Sequence, residues 1–198
     1  MPRRTQLRRA ALALLSVASM TIQVSAACFD HPQNQVPACG FETLDDINQW
    51  TVGPGSIDLT SSPVHSGVGA ALLHSTASPH QAIQLESSCF PASGSEPMGY
   101  GISVFPVTGS IFCSSHVVNC NNSDCTSCGP VFGVPLEIPI GEWTLVTYGE
   151  AVTNGMPFAK LVLFCGTSSP STPFEAVADD AFWGEGMVPV ALQSMVVE

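Results

Sequence analysis

Basic side chains are scarce in this chain. Five Lys and Arg stand against 16 Asp and Glu in 198 residues, and four of the five, Arg3, Arg4, Arg8 and Arg9, fall within the first ten positions. Beyond them Lys160 is the one strong base. Neutralising nucleic-acid phosphates, or docking on an anionic membrane surface, needs clustered Lys or Arg, so the body of the chain argues against a nucleic-acid binder and disfavours an anionic membrane surface. No stretch carries apolar residues at i, i+3, i+4 and i+7 over three turns, which makes helix a minor component. There is no phosphate-cradling glycine loop, no His-Glu-x-x-His and no Gly-x-Ser-x-Gly elbow, which removes the usual sequence grounds for an NTPase, a zinc peptidase or a serine hydrolase. A glycosidase needs two carboxylates at a set spatial separation, and a single small sandwich gives little cleft to hold them. After residue 26 no apolar run is long enough to span a bilayer, and the length fits one compact domain.

What is present begins with a leader. Residues 1–10 hold four arginines and no acid, residues 10–24 are mostly apolar, and Val24-Ser25-Ala26 offers small residues before a cut. This predicts a secretory signal peptide over 1–26 and an exported, extracellular product. A membrane anchor is disfavoured by the short run. Periplasmic retention and a lipid anchor on Cys28 are minor alternatives, the latter weakened by Ser25 where an aliphatic residue is expected. The paired arginines are a weak hint of twin-arginine export.

All eight cysteines, Cys28, Cys39, Cys89, Cys113, Cys120, Cys125, Cys128 and Cys165, follow the leader. An even count in an exported chain predicts disulfides, although eight cysteines allow 105 pairings. Spacing suggests that Cys28 and Cys39 clip the segment 27–39, and that Cys113, Cys120, Cys125 and Cys128 staple one loop. Cys125-x-x-Cys128 also has the spacing of zinc ligands. Against zinc stand the oxidising compartment, the missing second close pair and the loose Cys113-x6-Cys120 interval. A thioredoxin-like role fails because the pair opens no helix.

Along the rest of the chain Phe132, Val134, Leu136, Ile138 and Ile140 alternate with small, acidic or proline residues, the period of a strand with one buried face. Pro135 and Pro139 place that strand at a sheet edge, because proline cannot donate to a central ladder. Further strands are expected over 57–59, 70–75, 82–88, 99–105, 143–148, 160–165 and 176–183, with another possible over 188–197. Gly53-Pro54-Gly55, Ser66-Gly67, Ser93-Gly94-Ser95, Ile140-Gly141, Asn154-Gly155 and the 168–172 tract separate them as turns. About eight to nine short strands so punctuated predict an all-β, disulfide-stabilised sandwich. No repeat or long linker divides it.

Several landmarks occur in one order: Phe41-Glu42, Trp50, His65-Ser66-Gly67, Ala70-Ala71-Leu72, Gln84-Leu85-Glu86 running into Cys89, Trp143, the strand from Ala159 to Cys165, and Ala178-Asp179-Asp180-Ala181-Phe182. Taken together, and not singly, they resemble the galactose-binding-like jelly-roll domains of bacterial secreted proteins, the fold of many carbohydrate-binding modules attached to cellulases and xylanases. The likeness covers residues 40–184 and leaves 185–198 as a tail or extra strand. The cysteine-rich stretch 113–128 departs from the general pattern.

The resemblance implies a jelly roll that binds polysaccharide or another glycan without catalysis. It implies a structural calcium with Glu42 and Asp179 at ligand positions and Asp180 as the neighbour that takes over if the register shifts. Calcium wants six to eight oxygens, and alternation with Val177, Ala181 and Trp183 turns Asp179 towards the core, where an uncompensated carboxylate is costly. The alternative is that these acids are solvated or cap turns. The resemblance also implies a Cys89–Cys165 disulfide. Sugar stacking would need an exposed aromatic face, but Trp50, Tyr100, Trp143, Tyr148 and Trp183 all lie in or beside apolar strands, so none is assigned to sugar. His31, His65, His74, His80 and His116 are expected at turns and strand ends in solvated or capping roles. The alternative from another class is a structural or adhesive surface protein using the same fold for protein contacts.

Overall fold

The computed structural model describes residues 28, 33–76, 82–92, 98–129, 134–148, 150–151, 153, 155–168 and 172–185. The signal peptide over 1–26, Phe132, the Ser93-Gly94-Ser95 turn, His31, His80, the strand over 188–197 and the tail beyond 185 lie outside them. Among the described residues no helix is long and apolar enough to cross a membrane.

The secondary structure is one turn of helix, α1 (Leu44–Ile47), and twelve strands: β1 (Trp50–Gly53), β2 (Gly55–Thr60), β3 (Ala70–Ser75), β4 (Ile83–Ser87), β5 (Phe90–Pro91), β6 (Met98–Pro106), β7 (Ile111–Cys120), β8 (Leu136–Ile138), β9 (Thr144–Val146), β10 (Glu150–Ala151), β11 (Phe158–Gly166) and β12 (Glu175–Glu185). The count exceeds the expected eight or nine because several are pieces of two or three residues. They form two antiparallel sheets. The first runs β1-β4-β11-β7-β8 with β5 beside β11, and the second runs β10-β6-β12-β3-β2 with β9 beside β6. This is the all-β, disulfide-stabilised jelly-roll sandwich anticipated above.

Period-two alternation explains the layers. In β11 Ala159, Leu161, Leu163 and Cys165 are buried in the central core, and in β4 Ile83 and Leu85 join them; from the second sheet come Leu73, Ile102, Val104, Ala176, Ala178 and Trp183. Phe41 packs on Trp50 with ring centroids 4.8 Å apart, and Phe90 on Trp183 at 5.2 Å. Thr43 caps α1: its Oγ1 accepts from Asp46 N at 3.2 Å while the Asp46 carboxylate accepts from Thr43 N at 2.9 Å.

Four expectations are corrected. The disulfides are Cys28–Cys39, Cys89–Cys125, Cys113–Cys165 and Cys120–Cys128, so Cys89 and Cys165 do not pair. The reason is register: Cys113 lies directly opposite Cys165 across β7 and β11, both inside the core, whereas Cys89 packs with Cys125 in a separate cluster. The stretch 113–128 is therefore not one stapled loop. Its first part is β7, and the Cys120–Cys128 bond closes the loop that follows. Alternation over 132–140 also misled in part. β8 pairs with β7 at the sheet edge, as the prolines required, but among the described residues of the alternating set Ile138 alone is buried while Val134, Leu136 and Ile140 are exposed. Finally, the β6–β12 register shifts between Asp179 and Phe182, so Ala178, Ala181 and Trp183 all join the core while Asp179 is buried on the other side of the strand. A bulge breaks the parity on which the inward placement of Asp179 rested.

Candidate functional site

Two places on the sandwich gather polar side chains. The first is a pocket of acids beneath the loop between β2 and β3. Asp179, fully buried, accepts hydrogen bonds from His65 N at 2.9 Å, Ser66 N at 3.1 Å and Asp180 N at 2.8 Å. Asp180 takes Ser66 Oγ at 2.6 Å and faces His65 Nδ1 at 2.6 Å. The edge of the His65 ring meets Trp143 at 5.1 Å, and Trp143 tilts against Phe105 at 5.4 Å. Burial, reinforced by the Asp180 charge, pushes the Asp179 carboxyl up to about 7 against the pull of its three amide donors. The hydrogen bond to Asp180 raises His65, over the opposing effect of burial.

Glu42 completes the pocket. Its Oε2 accepts from Val68 N at 2.7 Å and Gly69 N at 2.9 Å, while Oε1 is buried with no hydrogen-bond partner. The loop closes on it so tightly that a Cβ at Gly67, whose φ is +65°, would stand 1.6 Å from Oε1. The sequence-expected ligand positions Glu42, Asp179 and Asp180 are thus all brought to this one loop. Their carboxylates do not converge on a point: among the described residues the one group of three or more His, Cys, Asp or Glu donor atoms within 4.8 Å of one another is Cys120, Cys125 and Cys128. The donor chemistry nevertheless suits a hard cation, since a buried carboxylate oxygen lacks a partner and the only Lys or Arg of the described residues, Lys160, pairs elsewhere.

The second place is the outer face of the first sheet, which the sequence reading did not single out. Its residues fall in cross-strand rows. Gly53, Gln84, Phe164 and Ser114 make one, and Thr51, Glu86, Val162 and His116 the next. Lys160, on the diagonal from Glu86, pairs with it, and Gln84 Nε2 donates to the same carboxylate. The His116 and Phe164 rings meet edge to face at 5.6 Å, and His116 Nε2 lies 3.0 Å from Ser114 Oγ. Beyond these rows the face closes over: Val118 and Val162 are buried beneath Cys125 and the loop it belongs to. The signal for this face was available, since Gln84, Glu86, Lys160 and Phe164 share the parity opposite to the core residues of β4 and β11.

The aromatic inventory divides as packing predicts. Trp50, Tyr100 and Trp183 are core residues, Trp143 is half-buried, and Tyr148 is exposed. His74 bridges Glu175 at 3.0 Å and Asp58 at 3.3 Å on β3's outer side.

Searches among family models and curated protein sequences found no match. Solved structures do match. A family 22 carbohydrate binding module of Clostridium thermocellum aligns over 76% of this chain and 92% of its own, at 12% identity with a TM-score of 0.54. The CBM22-1 xylan-binding domain from Paenibacillus barcinonensis aligns over 78% and 97%, at 13% identity with a TM-score of 0.51. The chain has the fold of a carbohydrate-binding module. The Clostridium module is described by residues of its cleft in ligand binding, and the Paenibacillus domain by xylan.

Proposed function

We propose that this chain is an exported, non-catalytic domain that binds polysaccharide on the outer face of its first sheet. The observation that carries the reading is the row Gln84, Phe164 and Ser114 beside the Glu86–Lys160 pair: an aromatic surface flanked by groups able to donate and accept hydrogen bonds, on a sheet of the fold shared with xylan-binding modules. Pyranose rings stack on aromatic faces through their C–H groups while their hydroxyls need both donors and acceptors, and this row offers each. Four disulfides suit a chain that works outside the cell.

A structural calcium belongs to the same reading. Glu42 Oε1 is the donor without a partner and Asp179 the carboxylate with the most to gain from a cation, whereas Asp180 is engaged by His65 and Ser66. Bound there, the ion would supply positive charge to the pocket and tie the β2–β3 loop to β12.

Affinity electrophoresis against xylan and other soluble glycans, with and without EDTA, tests the proposal. Retardation on at least one glycan that is lost in a Phe164→Ala, Lys160→Ala double variant supports it. No retardation on any glycan, together with concentration-dependent self-association, would favour the structural or adhesive role instead.

A further inference from the structure

Six asparagines lie in the chain, and one of them, Asn121, opens an Asn-x-Ser triplet whose middle residue is not proline: Asn121-Asn122-Ser123. That pattern is the acceptor signature for N-linked sugar, because a transferase reads the hydroxyl two residues on while it presents the amide nitrogen to its donor. A triplet alone carries little, and its place in the fold decides. β7 ends at Cys120, so Asn121 is the first residue of the loop that the Cys120–Cys128 bond closes.

The loop uses its polar side chains unequally. Asn122 Nδ2 donates to Thr126 Oγ1 at 2.7 Å, and Asn122 Oδ1 accepts from Ser127 N at 3.0 Å. Thr126 in turn donates from Oγ1 to Asp124 Oδ1 at 2.9 Å and from its backbone N to the same oxygen at 3.2 Å. Asn122, Asp124 and Thr126 thus tie the loop to itself. Among the hydrogen bonds of the described residues Asn121 is held through its backbone, N donating to Ser127 O at 2.9 Å, and both Asn121 and Ser123 are exposed. The amide and the hydroxyl that sugar transfer needs are the two that this loop leaves to solvent.

We infer that Asn121 is an N-glycosylation site, modified as the chain is exported. The inference rests on the exported reading proposed above and is independent of polysaccharide binding, since Asn121 belongs to neither of the rows assigned to it. The co-reactant is an oligosaccharide linked to a lipid diphosphate, supplied with its oligosaccharyltransferase in the export compartment. Asn121 Nδ2 forms a bond to the anomeric carbon of the sugar, the bond from that carbon to the diphosphate oxygen breaks, and the lipid diphosphate departs with the electron pair. One amide proton leaves to a base of the transferase. No oxidant or reductant takes part. The product carries a bulky, hydrated group on the loop that lies over the end of the first sheet.

The test expresses the full chain with its own leader in insect cells, whose export compartment carries the transferase, and weighs the secreted protein intact before and after peptide N-glycosidase F. The expected result is one N-linked chain, a mass increment that the glycosidase removes, leaving aspartate at position 121. Asn121→Gln and Ser123→Ala should each lose the whole increment. Ser123→Thr and Asn122→Gln should keep it, the latter although it disturbs the hydrogen bonds by which the loop holds itself. Far-ultraviolet circular dichroism and a disulfide count on each secreted variant separate loss of the sugar from loss of the fold. A secreted chain at the mass of the bare polypeptide, a sugar mapped to another residue, or one that survives Ser123→Ala overturns the site while leaving export intact. A chain that its own leader leaves in the cytosol overturns the exported reading, and this site with it.

Discussion

Each sheet of this sandwich has a loop folded over its outer face, and the two are held down by opposite kinds of force. The 121–128 loop lies on the first sheet under covalent control, tied by Cys120–Cys128 and to the β4–β5 segment by Cys89–Cys125. The β2–β3 loop lies on the second under electrostatic control, its amides and side chains gathered onto the carboxylates of Glu42, Asp179 and Asp180. A covalent tie stabilises at any pH, chiefly by limiting the unfolded chain, whereas a cluster of buried acids holds only while its charge is balanced. The contrast teaches that one small fold can be made sensitive to reductant in one place and to protons or cations in another.

The largest break in the comparison is expected on the covalent side. Replacing Cys89 and Cys125 together by Ala opens a loop with a sequence separation of 36 and should cost ~4 kcal/mol of unfolding free energy, measured by urea denaturation, with the dependence on pH unchanged. The next effect belongs to the acids. Asp179 has a folded pKa above its ordinary 3.8, so its stabilising contribution is complete below about pH 4 and is lost as pH rises through about 7; His65, also raised, acts in the same direction above its ordinary 6.5. The calcium-free protein should therefore lose roughly 2–3 kcal/mol of stability between pH 5 and 8. Asp179→Asn should flatten that slope, and millimolar calcium should flatten it in the unaltered protein by taking the place of the proton. A slope that neither change affects would remove Asp179 as its source.

A smaller loss, about 2 kcal/mol, is expected for Gly67→Ala, which puts a methyl against Glu42 Oε1 in a left-handed backbone conformation. Smallest is Ser66→Ala, about 1 kcal/mol, for the hydrogen bond to Asp180. Both should leave the response to reductant as it was, and a shift in disulfide reduction kinetics for either variant would show that the two loops are coupled.

Short apolar runs set off by turn residues made most of the sandwich legible. β3, β4, β6, β11 and β12 were placed to within two residues at each end because turn chemistry brackets each run. β7 was missed although it is ten residues long. Its outward positions carry Ser114 and His116 and its cysteines invite counting by spacing, which measures distance along the chain and not across a ladder. The same blindness produced the Cys89–Cys165 pairing: opposition of Cys113 and Cys165 is a property of register, and register follows from turns that the residue list does not specify. In the acid pocket the carboxylates could be read from the sequence but their partners could not, since most are backbone N–H groups, which every residue owns. Gly67 and Gly69 were the visible trace of that close approach. The bulge after Asp179 left no mark in the pattern at all.

The segment ahead of Cys39 has a mechanical consequence. Asn34 spans to Ala181 O at 3.0 Å and receives Trp183 N at 3.1 Å, Gln35 N reaches Trp183 O at 2.9 Å, and Ala181 N reaches Cys39 O at 2.8 Å. Tension applied between residues 28 and 185 would thus enter and leave the molecule along one seam. Those few bonds would peel in turn, the Cys28–Cys39 ring would limit how much chain pays out, and the two sheets would bear little of the load.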